Sequence, residues 1–244
     1  MITERDRLKR LAAKSRIART TASLAVLSLF ILGLSIANRL FPGKVQVESR
    51  SPREISTTLP ASDLVERIVD GDTLILACGQ CVRLKGIDTP EQDQAGYAEA
   101  GNALRTLVEG QKVTLSFDDH EKTDTYGRLL AFLSTPSCDS VNRALIANGW
   151  AWIYRLAWNS PERDSFLAAQ QNAIQARIGI WSELGNGRGP YIGSQSSHIF
   201  HKADCPNGRK ISQKNLYRFE LLREAFLQGY SPCRKCFAHP LDGR

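Results

Sequence analysis

The chain has 244 residues, 42% of them hydrophobic and 23% charged, which excludes wholesale disorder and collagen-like repetition and leaves room for one large or two small domains. Six cysteines are too sparse for a disulfide-stapled miniprotein of this length. The net charge of +7 is not spread along the chain: residues 1–19 hold seven Lys/Arg against two Asp/Glu, residues 20–197 sixteen against nineteen, and residues 198–244 nine against four. The middle is slightly acidic, and the basicity of each end needs its own explanation.

From Thr20 to Ala37 the chain runs eighteen residues without a charge. With Leu40 and Phe41 at the far interface it reaches the roughly 20 apolar residues that span a bilayer. Arg5, Arg7, Lys9, Arg10, Lys14, Arg16 and Arg19 precede it, against Arg39, Lys44, Arg50 and Arg53 after it. That asymmetry predicts a basic cytoplasmic segment over 1–19, a transmembrane anchor over 20–41 and an extracytoplasmic remainder. Only Ser and Gly interrupt the run, so the polar face of a buried core helix is missing. Cleavage at Ser35-Ile36-Ala37 would instead release a secreted form, but the long basic region favours an uncleaved anchor. Residues 42–61, with three prolines among Ser, Thr and charged residues, read as a linker.

Residues 62–185 read as one domain. Strands are predicted at Val65–Val69, Thr73–Ala77, Val82–Ile87, Val113–Phe117 and Leu129–Ser134, and helices at Ala98–Glu109, Val141–Asn148 and Arg163–Ile178. Five strands interrupted by helices suit a small Greek-key barrel of α+β type. Asp72 follows an Asp-Gly turn and Asp88 ends the third strand. A hairpin would bring the two carboxylates together, and with a backbone carbonyl they would make a hard-oxygen site suited to Ca²⁺. Pro90 biases Thr89 to an extended backbone, aiming its carbonyl and presenting Glu91 beside the metal. Arg83 and Arg128 are the guanidinium groups that attack at a phosphodiester requires. Singly each is bland: Asp-Gly-Asp is commonly a turn, and a lone arginine is commonly solvated.

Together, Val69-Asp-Gly-Asp-Thr73, Arg83-Leu-Lys-Gly-Ile-Asp-Thr-Pro-Glu91 and Thr123-Asp-Thr-Tyr-Gly-Arg128 resemble the thermonuclease, or staphylococcal-nuclease, family. Weaker agreement continues through Val141-Asn142, Ala144-Leu145, Gly149 and Gly179-Ile-Trp181-Ser182. The resemblance implies an OB-fold barrel that hydrolyses DNA and RNA with Ca²⁺. Asp72, Asp88 and the Thr89 carbonyl would hold Ca²⁺, Arg83 and Arg128 would bind the scissile phosphate, Glu91 would activate water, and Tyr126 would contact the nucleotide phosphate. Thr125 stands where the family often has a basic residue, which implies weaker phosphate binding. Tyr154, Trp152 and Trp158 are candidates either for nucleotide stacking or for core packing. Cys78 and Cys81 could form a strained hairpin disulfide or a redox-silent turn; Cys138 has no assigned role.

His201-x3-Cys205 is followed after twenty-seven residues by Cys233-x2-Cys236. Paired ligands at this spacing predict a closed, structural His-Cys₃ zinc site, with two disulfides as the alternative. His198 and His239 are nearby substitutes. With Phe200-His201, Asp204-Cys205-Pro206 and Gly229-Tyr230-Ser-Pro-Cys233-Arg-Lys-Cys236, residues 190–244 resemble the Ada-type zinc-binding module. His201 stands where that module has its methyl-accepting cysteine, so methyl-acceptor repair is not expected. The excess of basic residues suggests a nucleic-acid grip that compensates for the acidic barrel, and truncation after Gly189 is expected to leave a folded nuclease. The reading is a membrane-anchored, Ca²⁺-dependent nuclease acting on DNA or RNA outside the cytoplasm, with no protein partner indicated. The alternative is a non-catalytic, membrane-tethered nucleic-acid-binding protein.

Overall fold

A computed structural model describes residues 59–185 and 187–241. Short runs build β1 (Ser62–Ile68), β2 (Thr73–Leu76), β3 (Cys81–Leu84), β5 (Lys112–Ser116) and β6 (Leu129–Ser134), alternating in β5 and continuously apolar in β6, and these close into a barrel in the order β1-β2-β3-β6-β5. β2 and β3 pair antiparallel with Thr73 opposite Arg83, whereas β3 and β6 run parallel. Their inward side chains, among them Val65, Leu74, Leu76, Val82, Leu84, Val113 and Leu133, are buried in one core. Helix α1 (Tyr97–Val108) adds Leu104 and Val108 to it. Helix α2 (Val141–Ala147) starts on Ser140, whose hydroxyl accepts from the Arg143 N–H, an N-cap.

The third strand predicted from the sequence, Val82–Ile87, is two strands. At Gly86 the backbone takes a φ of +80°, which residues with a Cβ rarely adopt. The chain turns there, and β4 (Ile87–Asp88) pairs antiparallel with β7 (Trp152–Ile153), outside the barrel. Lys85, at the break, is buried; its Nζ donates to Asp118 Oδ1 (2.5 Å) and to the Glu121 carbonyl (3.0 Å). Asn142 of α2 accepts from the Leu133 N–H and donates to the Lys85 carbonyl, satisfying backbone groups freed where the ladder ends.

Beyond helix α3 (Arg163–Ala176) lies a second sheet of β8 (Arg188–Ser194), β9 (Ile199–Lys202), β10 (Leu216–Leu221) and β11 (Ser231–Pro232), ordered β10-β8-β9-β11, with helix α4 (Leu222–Leu227) against it. Its core is continuous with the barrel's helical flank. Trp152, Ile174 and Trp181 are buried in one cluster with Phe200, Phe226 and Phe237. Phe226 meets Trp181 edge-on at 5.1 Å and Trp152 at 6.4 Å between ring centroids. Buried Gln170 accepts from the Ile153 N–H at 2.7 Å and donates to the Phe226 carbonyl, and Ser231 Oγ donates to the Ile153 carbonyl. The described residues thus belong to one compact unit, and a chain ending at Gly189 would leave Trp152 and Trp181 without Phe200 and Phe226 against them.

Among the described residues no helix is long and apolar enough to cross a membrane. The expected anchor over 20–41 lies outside them.

Phe226→Ala empties a site shared by both sheets and should cost about 3–5 kcal/mol. Calorimetry should show one cooperative transition at a lower temperature. Two separate transitions, with only one of them moved, would mean that barrel and C-terminal module fold independently.

Candidate active site

The Asp70–Thr73 turn is held by its own side chains. Asp70 Oδ1 accepts from the Asp72 N–H (3.0 Å), Asp72 Oδ1 accepts from Thr73 Oγ1 (2.9 Å), and the Asp72 carbonyl accepts from the Leu84 N–H (2.8 Å). A Cβ on Gly71 would sit 2.7 Å from Thr89 Oγ1 and 2.7 Å from the Ala100 Cβ, so only glycine lets this turn close against Thr89. Asp72 and Asp88 are thereby brought to the same buried arginine. Arg83 Nη1 lies 2.8 Å from Asp72 Oδ2, and Nη2 lies 2.6 Å from Asp88 Oδ1. Thr89 Oγ1 donates to Asp72 Oδ2 at 3.4 Å.

The electrostatics follow from burial. Removal from water raises the Asp72 pKa from 3.8 to about 7; Arg83 opposes the shift, and Asp88 and Asp70 add to it. Burial disfavours charge on Arg83 as well, but Asp72 and Asp88 outweigh it and hold its pKa above the ordinary value. Arg83 is thus already committed to two carboxylates, a more buried and more crowded position than its spacing suggested.

Arg128 comes from the loop before β6. Asp124 Oδ1 accepts from the Tyr126 and Arg128 N–H groups, and its Oδ2 lies 2.7 Å from Arg128 Nε. Burial would raise the Asp124 pKa, but these hydrogen bonds prevail and lower it. The Arg128 guanidinium carbon stands 5.5 Å from the centroid of the Tyr126 ring, which is 84% exposed. A cavity of about 350 Å³ is lined by Asp72, Arg83, Thr89, Glu91, Tyr126 and Arg128, so the predicted residues other than Asp88 line one pocket, and Asp88 adjoins it through its ion pair with Arg83. It has a further wall that spacing did not reveal. Arg234 Nη2 lies 2.6 Å from Asp88 Oδ1 and 3.2 Å from Glu91 Oε1.

Of the other aromatic candidates, Trp152 is core, whereas Tyr154 is part-buried with the Arg83 guanidinium 6.0 Å from its ring. Trp158 stacks on His198 at 3.6 Å. The metal-binding atoms of His201, Cys205, Cys233 and Cys236 all lie within 4.8 Å of one another, without His198 or His239. Cys78, Cys81 and Cys138 carry free thiols.

Two carboxylates held by a buried arginine at the mouth of a small barrel, with a second arginine, an exposed glutamate and a tyrosine around one pocket, define a phosphodiester-cleaving hydrolase. Comparison with known proteins agrees. Residues 81–183 match the model described as "Staphylococcal nuclease homologue". The chain is 35% identical over 130 residues to Protein ParB of Escherichia coli, covering 49% of this chain and 71% of that one. It is 32% identical over 130 residues to a micrococcal nuclease of Shigella flexneri, covering 49% of this chain and 72% of the other. A longer similarity, 29% over 201 residues, covers 68% of this chain but 16% of endonuclease YhcR of Bacillus subtilis (strain 168). The chain belongs to the staphylococcal nuclease family and is a thermonuclease-type nuclease.

Arg83→Lys keeps the charge, but a single ammonium cannot reproduce the planar fork between Asp72 and Asp88. Turnover should fall on the order of 10²–10³-fold, and a loss below about tenfold at unchanged melting temperature would remove Arg83 from the reaction. Stability should also carry a signature of Asp72. Its pKa is higher folded than unfolded, so its contribution to metal-free stability is greatest at low pH and is lost as pH rises from about 4 through about 7. Asp72→Asn should flatten that decline and raise the metal-free melting temperature at pH above 7; parallel profiles for the two proteins would refute the assignment.

Proposed function

We propose that this nuclease is Ca²⁺-dependent, is held at the membrane by residues 20–41 and acts on DNA or RNA outside the cytoplasm. One observation carries the catalytic part: Asp72, Arg83, Glu91, Tyr126 and Arg128 line a single pocket. Asp72, Asp88 and the Thr89 carbonyl would hold the cation. The donor set fits, because hard oxygens suit Ca²⁺ and a divalent ion would offset the burial, and the neighbouring carboxylates, that raise the Asp72 pKa. Bound there, Ca²⁺ would supply positive charge to a substrate phosphate oxygen.

The chain's own residues do the rest. Arg128, steadied by Asp124 and Tyr126, offers its outer guanidinium nitrogens to the phosphate, and Arg83 holds Asp72 and Asp88 in register while facing the same pocket. Glu91, exposed at the rim, takes the proton from the attacking water at a carboxylate oxygen. Tyr126 meets the nucleotide from the open side.

His201, Cys205, Cys233 and Cys236 would hold a structural zinc ion in an Ada-like module. The chemistry of the cluster fits a cation. Burial, with Cys205 and Cys233 adjacent, pushes the Cys236 thiol up to about 12. At Cys205 burial is outweighed by hydrogen bonds, chiefly from the Gly208 and Asn207 backbone, which lower the thiol. A bound cation would favour the thiolate form that zinc takes as ligand. The buried Nδ1 of His201 has no hydrogen-bond partner among the described residues.

Membranes from cells producing the full chain should cleave added single-stranded DNA in Ca²⁺, lose that activity in EGTA and regain it when Ca²⁺ alone is restored. Activity confined to the soluble fraction would refute the anchor. Binding without cleavage under any divalent ion would favour the non-catalytic tethered binder instead.

A further inference from the structure

Arg234 sits between two cysteines of the metal cluster, yet its guanidinium lies in the nuclease pocket. Both ion pairs that it makes there use Nη2, and its side chain is 59% exposed, against 10% for Arg83. Arg83 is locked between Asp72 and Asp88; Arg234 is the arginine of this pair with room to turn. It also lines a second, larger cavity of about 670 Å³ that runs across the C-terminal module beside Tyr154, Asn207, Lys210 and Lys235. The two cavities therefore meet at Arg234. Lys210 and Lys235 are exposed, and the groove is lined besides by serines and asparagines, the part-buried Tyr154 ring, the apolar Ile199, Ile211 and Pro232, and His201 and Cys233 of the metal-binding cluster. Cations for phosphates, small polar groups and an aromatic face are the equipment of a single-strand channel. The module is clamped by the Gln170 and Ser231 hydrogen bonds, so the groove keeps a constant position relative to the pocket.

We propose that Arg234 is a substrate-phosphate-binding residue of the nuclease site, and that the groove beyond it seats the nucleic-acid strand on one side of the scissile bond. The inference rests on the nuclease reading and adds a strand path supplied by the C-terminal module. Arg234 leaves Asp88 and Glu91 as the strand enters, and its fork takes a phosphate next to the one being cleaved. Lys210 and Lys235 then meet phosphates further along.

The test uses the full chain with Ca²⁺ and a fluorescent phosphorothioate single strand of about twenty nucleotides, longer than the roughly 4–16 that one OB fold covers. Binding is followed by anisotropy, and KM and kcat are measured on the ordinary strand. Arg234→Ala should weaken Kd and raise KM on the order of tenfold, the worth of one charge-assisted phosphate contact, with a smaller effect on kcat, and Arg234→Lys should recover part of the loss. Lys210→Gln with Lys235→Gln should reduce the slope of log Kd against log salt by about 1.4, roughly 0.7 for each lost phosphate contact on a single strand. The KM increase should be at least several-fold larger on the long strand than on a dinucleotide, which is too short to enter the groove.

Unchanged Kd and salt slope in correctly melting variants would overturn the proposal. So would tighter binding or faster turnover in Arg234→Ala, the mark of an arginine that merely blocks Asp88 and Glu91. Should Arg234→Ala fail to fold, the exposed lysine pair decides. If the parent chain binds the strand but cleaves nothing, the nuclease reading fails, while the binding measurements still judge the groove.

Discussion

The fold of the active site depends on one buried arrangement, Arg83 between Asp72 and Asp88. Burial makes Asp72 resist ionisation and raises its pKa, and the neighbouring charge of Asp88 adds to the shift. A guanidinium that bridges both is the least costly way to keep them side by side without a metal. The arrangement constrains its surroundings. Gly71 must lack a side chain so that the Asp72 turn can close, Thr73 must pair with Arg83 across the hairpin, and Gly86 must turn the chain so that Asp88 approaches from outside the barrel. Buried ion clusters seldom stabilise a protein by themselves, so the apolar barrel and its helices must hold this one in place.

The second constraint is aromatic. Trp152 and Trp181, on the flank of the nuclease domain, are covered by Phe200 and Phe226 of the C-terminal module rather than by water. Trp152 is also the cross-strand partner of Asp88, so the module's packing supports the element that carries a carboxylate of the candidate site. Through this contact a change in the module can reach the nuclease site, and the Cys233–Cys236 turn is held close enough for Arg234 to enter it. Such packing also explains how a barrel region with a slight acidic excess can adjoin a basic surface at its own pocket: the positive charge is delivered by a different part of the chain.

Much was legible in the order of residues alone. Short runs with β-branched residues marked the barrel strands, and three short strings containing Asp72, Arg83, Asp88, Glu91, Tyr126 and Arg128 pointed to the site. A turn and a hairpin bring Asp72 to Arg83, and a short loop presents Tyr126 and Arg128 at the start of the strand that pairs with β3. The spacing of His201, Cys205, Cys233 and Cys236 likewise identified a cluster that the fold brings within ligand distance. Less visible were Lys85 and Asn142, polar residues in apolar surroundings whose burial depends on Asp118 and on backbone groups freed at the end of the ladder.

What the sequence made legible by itself was the barrel, the kind of chemistry and the candidate residues of the pocket, because each strand and each motif is a short local pattern. The barrel nonetheless closes through long-range pairs such as β1 with β5 and β3 with β6. The tertiary structure decided two further things. It buried Arg83 as the bridge between two acids, where the motif alone suggested a phosphate ligand, and it placed Arg234 against Asp88 across 146 positions of chain. No local pattern encodes the second contact. It follows from long-range burial of Trp181 and Phe226, a non-directional force that becomes specific only when both surfaces have formed.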